Sequence, residues 1–214
     1  MKTIYQAQKE YPQKLNKIYA PPAKLYVLGD ETILNKPAIA IIGCRDASSY
    51  GKKVAFQFAY ELAKRGIVVV SGLARGIDIY SHLGAVKANG KTIAVLGSGF
   101  KHIYPAEHKN FCRQILKNGG AIITEYEEHE RPAKMHFPAR NRIISGLSEG
   151  VLVVEAKQKS GTLITVDYAL DQGKDVFVVP GNITSDQSYG TNDLLKQGAK
   201  LVTNVDEIIQ EIKI

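Results

Sequence analysis

Tryptophan is absent from the 214 residues, and cysteine and methionine each occur only twice. Cys44 and Cys112 stand far apart without C-x-x-C spacing, which argues against a zinc site or a disulfide framework and fits a reducing cytoplasm. No apolar run approaches the roughly 18 residues a membrane span requires. The stretch Met1 to Leu15 is polar and mixed in charge, so neither a signal peptide nor a membrane anchor is expected. Several catalytic and nucleotide signatures are missing too. Gly43 to Gly51 does not give G-x-G-x-x-G, the second apolar run ends in Ser71-Gly72 rather than a ribose-binding acid, and G-x-x-x-x-G-K-[ST] is not found. His82, His102, His108, His129 and His136 show no H-E-x-x-H spacing, and there is no G-x-S-x-G elbow. No cofactor, no metal and no covalent chemistry are expected.

What is present is a folded, basic chain. Hydrophobic residues make up 44% and charged residues 23%, a globular composition long enough for one large domain. The net charge is +7, which favours polyanionic partners through counterion release. From Pro37 onward, short β-branched runs at 38–43, 67–71, 92–97, 121–125, 151–155, 175–180 and 200–203 alternate with helical patterns. The helices are expected near 50–65, 76–89, 106–117, 138–147, 162–172, 191–197 and 205–213. Runs apolar at successive positions read as strands covered on both faces, so the pattern predicts an α/β fold with a doubly wound, mostly parallel sheet. Residues 1–36, with a strand expected over 24–28, read as an N-terminal extension packed on the main domain of 37–214.

In such sheets ligands gather at the carboxyl ends of strands. Three small-residue loops fall there: Gly43-Cys-Arg45-Asp-Ala-Ser48, Ser71-Gly72-Leu-Ala-Arg75-Gly76 and Gly97-Ser-Gly99, the last followed by Lys101. Their backbone N–H groups and cations suit phosphate, although glycines at these places also serve as plain tight turns. The segment Arg131-Pro-Ala-Lys134-Met-His136-Phe137-Pro-Ala-Arg140-Asn141-Arg142 sets cations around one aromatic ring. Cations for phosphates beside a ring for a base form the recipe for a single strand; the alternative is a core Phe137 among solvated charges. Ser160-Gly161-Thr162 opens a further helix, as a simple N-cap or as one more phosphate contact.

Taken in order, Ile39-Ala-Ile-Ile-Gly43-Cys-Arg45, Ser71-Gly-Leu-Ala-Arg-Gly-Ile-Asp78, Phe137-Pro-Ala-Arg-Asn-Arg142, Ser160-Gly-Thr162 and Val179-Pro-Gly-Asn182 resemble the DprA/Smf DNA-processing proteins. The resemblance runs from about Tyr11 to Ile209. It implies an extended Rossmann-like domain that binds single-stranded DNA and forms a homodimer. It also implies that incoming strands are protected, that single-strand-binding protein is overcome and that RecA is loaded during natural transformation. By motif position Arg45 would grip phosphate, Lys134 would pair with phosphate, Phe137 would contact a base, and Arg140 and Asn141 would buttress the pocket. Cys44 stands where the family usually has Ser or Thr. Many members also carry a C-terminal winged-helix domain that this sequence does not show, as a fragment of a longer protein would not.

Two other classes compete. Phosphoribohydrolases of the LOG type share the scaffold, but their signature carries a glutamate where this chain has Lys159-Ser-Gly-Thr162-Leu-Ile-Thr165. An adaptor for acidic proteins would use the charge and leave the loops unexplained.

Overall fold

The structure is a computed structural model, and it describes residues 1–212. Nine strands form one sheet: β1 (Lys2–Tyr5), β2 (Lys24–Gly29), β3 (Ala38–Ile42), β4 (Val68–Ser71), β5 (Thr92–Val95), β6 (Ala121–Thr124), β7 (Gly150–Val153), β8 (Asp175–Val178) and β9 (Lys200–Leu201). The helices are α1 (Ser49–Lys64), α2 (Ile77–Lys87), α3 (Lys109–Lys117), α4 (His136–Gly146), α5 (Gly161–Asp171), α6 (Tyr189–Lys196) and α7 (Val205–Glu211). The order across the sheet is β1-β2-β6-β5-β4-β3-β7-β8-β9. From β6 through β9 every pairing is parallel, while β1 and β2 are antiparallel.

Both faces of the sheet are covered, and β3 shows why its sequence reads AIAII. Ala38, Ala40 and Ile42 enter one core with Ile143 and Ile144 of α4 and Val166 of α5. Ile39 and Ile41 enter another with Phe58 and Leu62 of α1 and Ile208 of α7. Each such isoleucine, fully buried, contributes about 1.5–3 kcal/mol, so a parallel strand has no use for polar positions. The apolar stripe of α7 is covered by this second core through Val205 and Ile208. The helix ends at Glu211, and position 213 of the expected span lies outside the described residues.

The N-terminal extension is more than a cover. Its strands β1 and β2 pair with each other, and β2 pairs with β6, so they lengthen the sheet itself. Ile4, Tyr11 and Leu15 reach the same core as β3, and the Tyr11 hydroxyl donates to the Pro22 carbonyl at 2.8 Å. Over 106–117 the structure also differs from expectation. Residues Ala106–His108 form a 3-10 turn, and the α-helix begins only at Lys109.

Chain order builds outward from β3 in both directions, toward β4, β5 and β6 first and then toward β7, β8 and β9. The order in which the chain lays down strands therefore reverses between β3 and β7, where an open α/β sheet leaves a crevice at its strand ends.

Candidate nucleic-acid interface

That crevice holds a cleft of about 440 Å³, bordered by Gly43 and Arg45 after β3, Phe137 and Asn141 of α4, and Lys159 and Thr162 at the start of α5. A smaller cavity of about 100 Å³ adjoins it, lined by Gly72, Arg75 and Tyr104. Arg45, Phe137 and Arg140 border both cavities.

The glycine loops are shaped from within. Glu155, just past β7 and 3% exposed, accepts Ser48 N–H at 3.0 Å and the Ser48 hydroxyl at 2.5 Å, while its own carbonyl accepts Cys44 N–H at 2.9 Å. Ser48 in turn caps α1 by accepting Gly51 N–H at 3.0 Å. In the second loop, buried Asp78 accepts Gly72 N–H at 3.1 Å and Ala74 N–H at 3.3 Å. In the third, Gly99 and Lys101 donate to the carbonyls of Glu130 and Glu128. Many of the N–H groups that the sequence suggested for phosphate are thus already bonded. An anion entering this cleft would therefore meet mainly side chains.

Two glycines are demanded by this packing. Gly76 has φ 72°, and a Cβ there would lie 2.1 Å from the Cys44 carbonyl, where the second loop crosses the first. A Cβ on Gly72 would lie 2.5 Å from an Arg140 guanidinium nitrogen and 2.8 Å from Asp78 Oδ2. Arg140 is only 4% exposed. It donates to the carbonyls of Gly72, at 2.8 Å, and Val95, and its Nε donates to Asn141 Oδ1 at 3.3 Å. Desolvation pushes its pKa down to about 10, against the pull of Asp78, while burial raises that of Asp78. At neutral pH Arg140 remains a cation, held beneath the cleft floor.

The remaining residues singled out in the sequence divide sharply. Arg45 is exposed, with its guanidinium over the Phe137 ring at 5.5 Å and no carboxylate in ion-pair range among the described residues. Phe137 is half-buried rather than freely exposed, because Arg45 lies over it and Gly97 packs beside it. Lys134 is exposed on the turn into α4 but borders neither cavity. Ser160 caps α5 by accepting Thr162 N–H at 3.2 Å, and exposed Gly161 has open space around it, so this helix start faces the cleft. Arg75 pairs with Glu107 at 2.6 Å. Lys101 lies 3.7 Å from Glu128, borders neither cavity and is no part of the cleft. Ser71 is fully buried, its hydroxyl donates to the Ile41 carbonyl at 2.7 Å, and it borders neither cavity. Ser48 is likewise occupied by Glu155 and its cap.

The sequence reading missed Tyr104, which is 47% exposed and tilted against Phe137 with ring centroids 5.5 Å apart. It also missed Glu155. Among the described residues, no group of three or more His, Cys, Asp or Glu side chains is placed to hold a metal ion, and no helix is long and apolar enough to cross a membrane.

The sequence matches the family described as DNA recombination-mediator protein A over residues 2–213. It is 46% identical over 211 residues to the DNA processing protein DprA of Bacillus subtilis, covering 98% of this chain and 71% of that protein. The X-ray structure of DprA from Streptococcus pneumoniae is 40% identical, with a TM-score of 0.94 and coverage of 100% of this chain and 75% of that one. DNA processing protein A from Helicobacter pylori, whose structure is described for its single-stranded-DNA binding mode, is 35% identical. Its TM-score is 0.88, over 98% of this chain and 94% of that one.

Proposed function

Since the chain belongs to the DprA/Smf family of DNA recombination mediators, we propose that it binds single-stranded DNA in the cleft between β3 and β7. The observation that carries this reading is the meeting of unpaired Arg45 and the Phe137 ring, beside Lys159 and the start of α5, at the point where the strand order reverses. Arg45 and Lys159 neutralise phosphates, the α5 start offers a further anion contact, and the Arg45–Phe137 pair presents a flat surface to a base. Lys134 extends the electrostatic path along α4. Arg140 and Asp78 act beneath, holding the Gly72 loop in shape.

Family membership supports a biological role of the following kind. The protein protects incoming single strands in the cytoplasm, helps displace single-strand-binding protein and loads RecA during natural transformation, acting as a homodimer and without covalent chemistry.

A salt titration with oligo-dT and its duplex tests the binding. The expected result is preference for the single strand and an affinity that falls with ionic strength. Arg45→Ala and Lys134→Ala each flatten the salt slope by about one contact. Equal affinity for duplex and single strand, or indifference to salt, would refute the reading. Sedimentation at micromolar concentration tests the dimer, and a monomer there counts against it.

A further inference from the structure

The smaller cavity adjoins the main cleft, sharing Arg45 and Phe137 with it, and Tyr104 on its wall has no part in the binding described so far. We propose that this cavity is a second nucleotide subsite on the same single strand, where Tyr104 stacks on a base and Arg75 takes the adjoining phosphate in exchange for Glu107. The inference rests on the single-strand reading above and adds to it a path and a length.

Four features converge on this site. Arg45 and Phe137 border both cavities, so a strand gripped at that pair meets the smaller cavity next. Tyr104 is 47% exposed, and its plane is inclined 55° to Phe137 at 5.5 Å. The Phe137 contact braces a ring that borders the cavity, which lowers the ordering cost of stacking. The Arg75 and Glu107 side chains are 64% and 51% exposed, so their ion pair is weakly held, and a phosphate oxygen replaces the carboxylate with the same guanidinium geometry. Gly72 and Ala74 supply walls without bulk, and a volume of about 100 Å³ suits one planar ring. Stacking reads no base edge, so the subsite tolerates any sequence.

The chain has no tryptophan, so Tyr104→Trp places a single indole at the subsite. Binding of oligo-dT is followed by anisotropy of a labelled strand and, in parallel, by indole emission. Quenching that saturates together with the anisotropy is the expected result. Unchanged emission while anisotropy reports binding would overturn the subsite and leave the main cleft intact. Tyr104→Ala, scored across oligo-dT of increasing length, gives a second measurement. Affinity for the shortest binding strand stays at the wild-type level, and the gain on lengthening drops by about 5- to 150-fold. Tyr104→Phe retains that gain. The same length dependence in Tyr104→Ala as in wild type would also overturn the proposal. If the wild-type protein binds no oligo-dT at any length, the single-strand reading fails and the subsite falls with it.

Discussion

The Arg45 guanidinium carbon stands 5.5 Å from the centre of the Phe137 ring, joining the loop after β3 to the first turn of α4. Both residues border both cavities. Each residue helps hold the other in place, so the contributions proposed for them in DNA binding are expected to be coupled.

A double-mutant cycle measures that coupling. Phe137→Ala is expected to weaken oligo-dT binding by about 1–3 kcal/mol, as loss of a stacking ring does. With Arg45→Ala added, the total falls short of the sum by about 0.5–1 kcal/mol, the size of an exposed cation–π contact. Strict additivity in anisotropy titrations would show that the two residues work independently.

Ser48 separates a cap from a contact. Ser48→Ala removes the acceptor for Gly51 N–H and the donor to Glu155, and is expected to cost about 1 kcal/mol or somewhat more in urea unfolding. Oligo-dT affinity of the folded protein remains at the wild-type level. A salt slope flattened as in Arg45→Ala would place Ser48 on the strand instead.

Arg140 and Asp78 test the floor of the cleft. Arg140→Met removes the positive charge that pulls against the burial-raised pKa of Asp78 and strips a donor from the Gly72 and Val95 carbonyls. Loss of about 3–5 kcal/mol of stability is expected. Adding Asp78→Asn recovers part of that loss, because the uncompensated charge is gone. Equal stability of the single and double variants in chemical denaturation would disprove the electrostatic linkage.

His82 sets a pH dependence. Its Nδ1 lies 2.7 Å from Thr92 Oγ1, whose hydrogen is already donated to the Val69 carbonyl, so Nδ1 carries the proton and donates. Nε2 is buried with no hydrogen-bond partner among the described residues, and burial, with His108 and Arg140 adding to it, pushes the pKa down to about 3 from 6.5. Between those values the unfolded chain binds the proton and the folded protein does not, so acid favours unfolding. Relative to His82→Leu, the wild-type protein should lose about 2 kcal/mol between neutral pH and pH 5. Parallel stability profiles for the two proteins would contradict this.

Much of the architecture is legible in the sequence because parallel strands buried on both faces leave continuous apolar runs, as in Ala38 to Ile42. The loops are legible as glycine positions but not as bonded objects. Nothing local to Ser48 announces that Glu155 fills its hydrogen-bonding capacity, because Glu155 reaches Ser48 from the end of a different strand. Tyr104 is invisible for the same reason. It sits alone in a connection of irregular turns, and only folding brings it against Phe137. In the extension the strand over 24–28 is legible, but the four residues of β1 are too short to stand out before pairing with β2.

The internal bonds of Glu155 and Asp78 bear on how a strand departs. Loops that owe their shape to the protein's own carboxylates do not collapse when DNA leaves, and no backbone N–H bound to Glu155 or Asp78 is orphaned. On the single-strand reading, a shift by one nucleotide would exchange one contact with Arg45, Lys159, Lys134 or the start of α5 for the next and break nothing in the frame. On that reading, such a cleft would release its strand without any rearrangement of the loops that Glu155 and Asp78 hold.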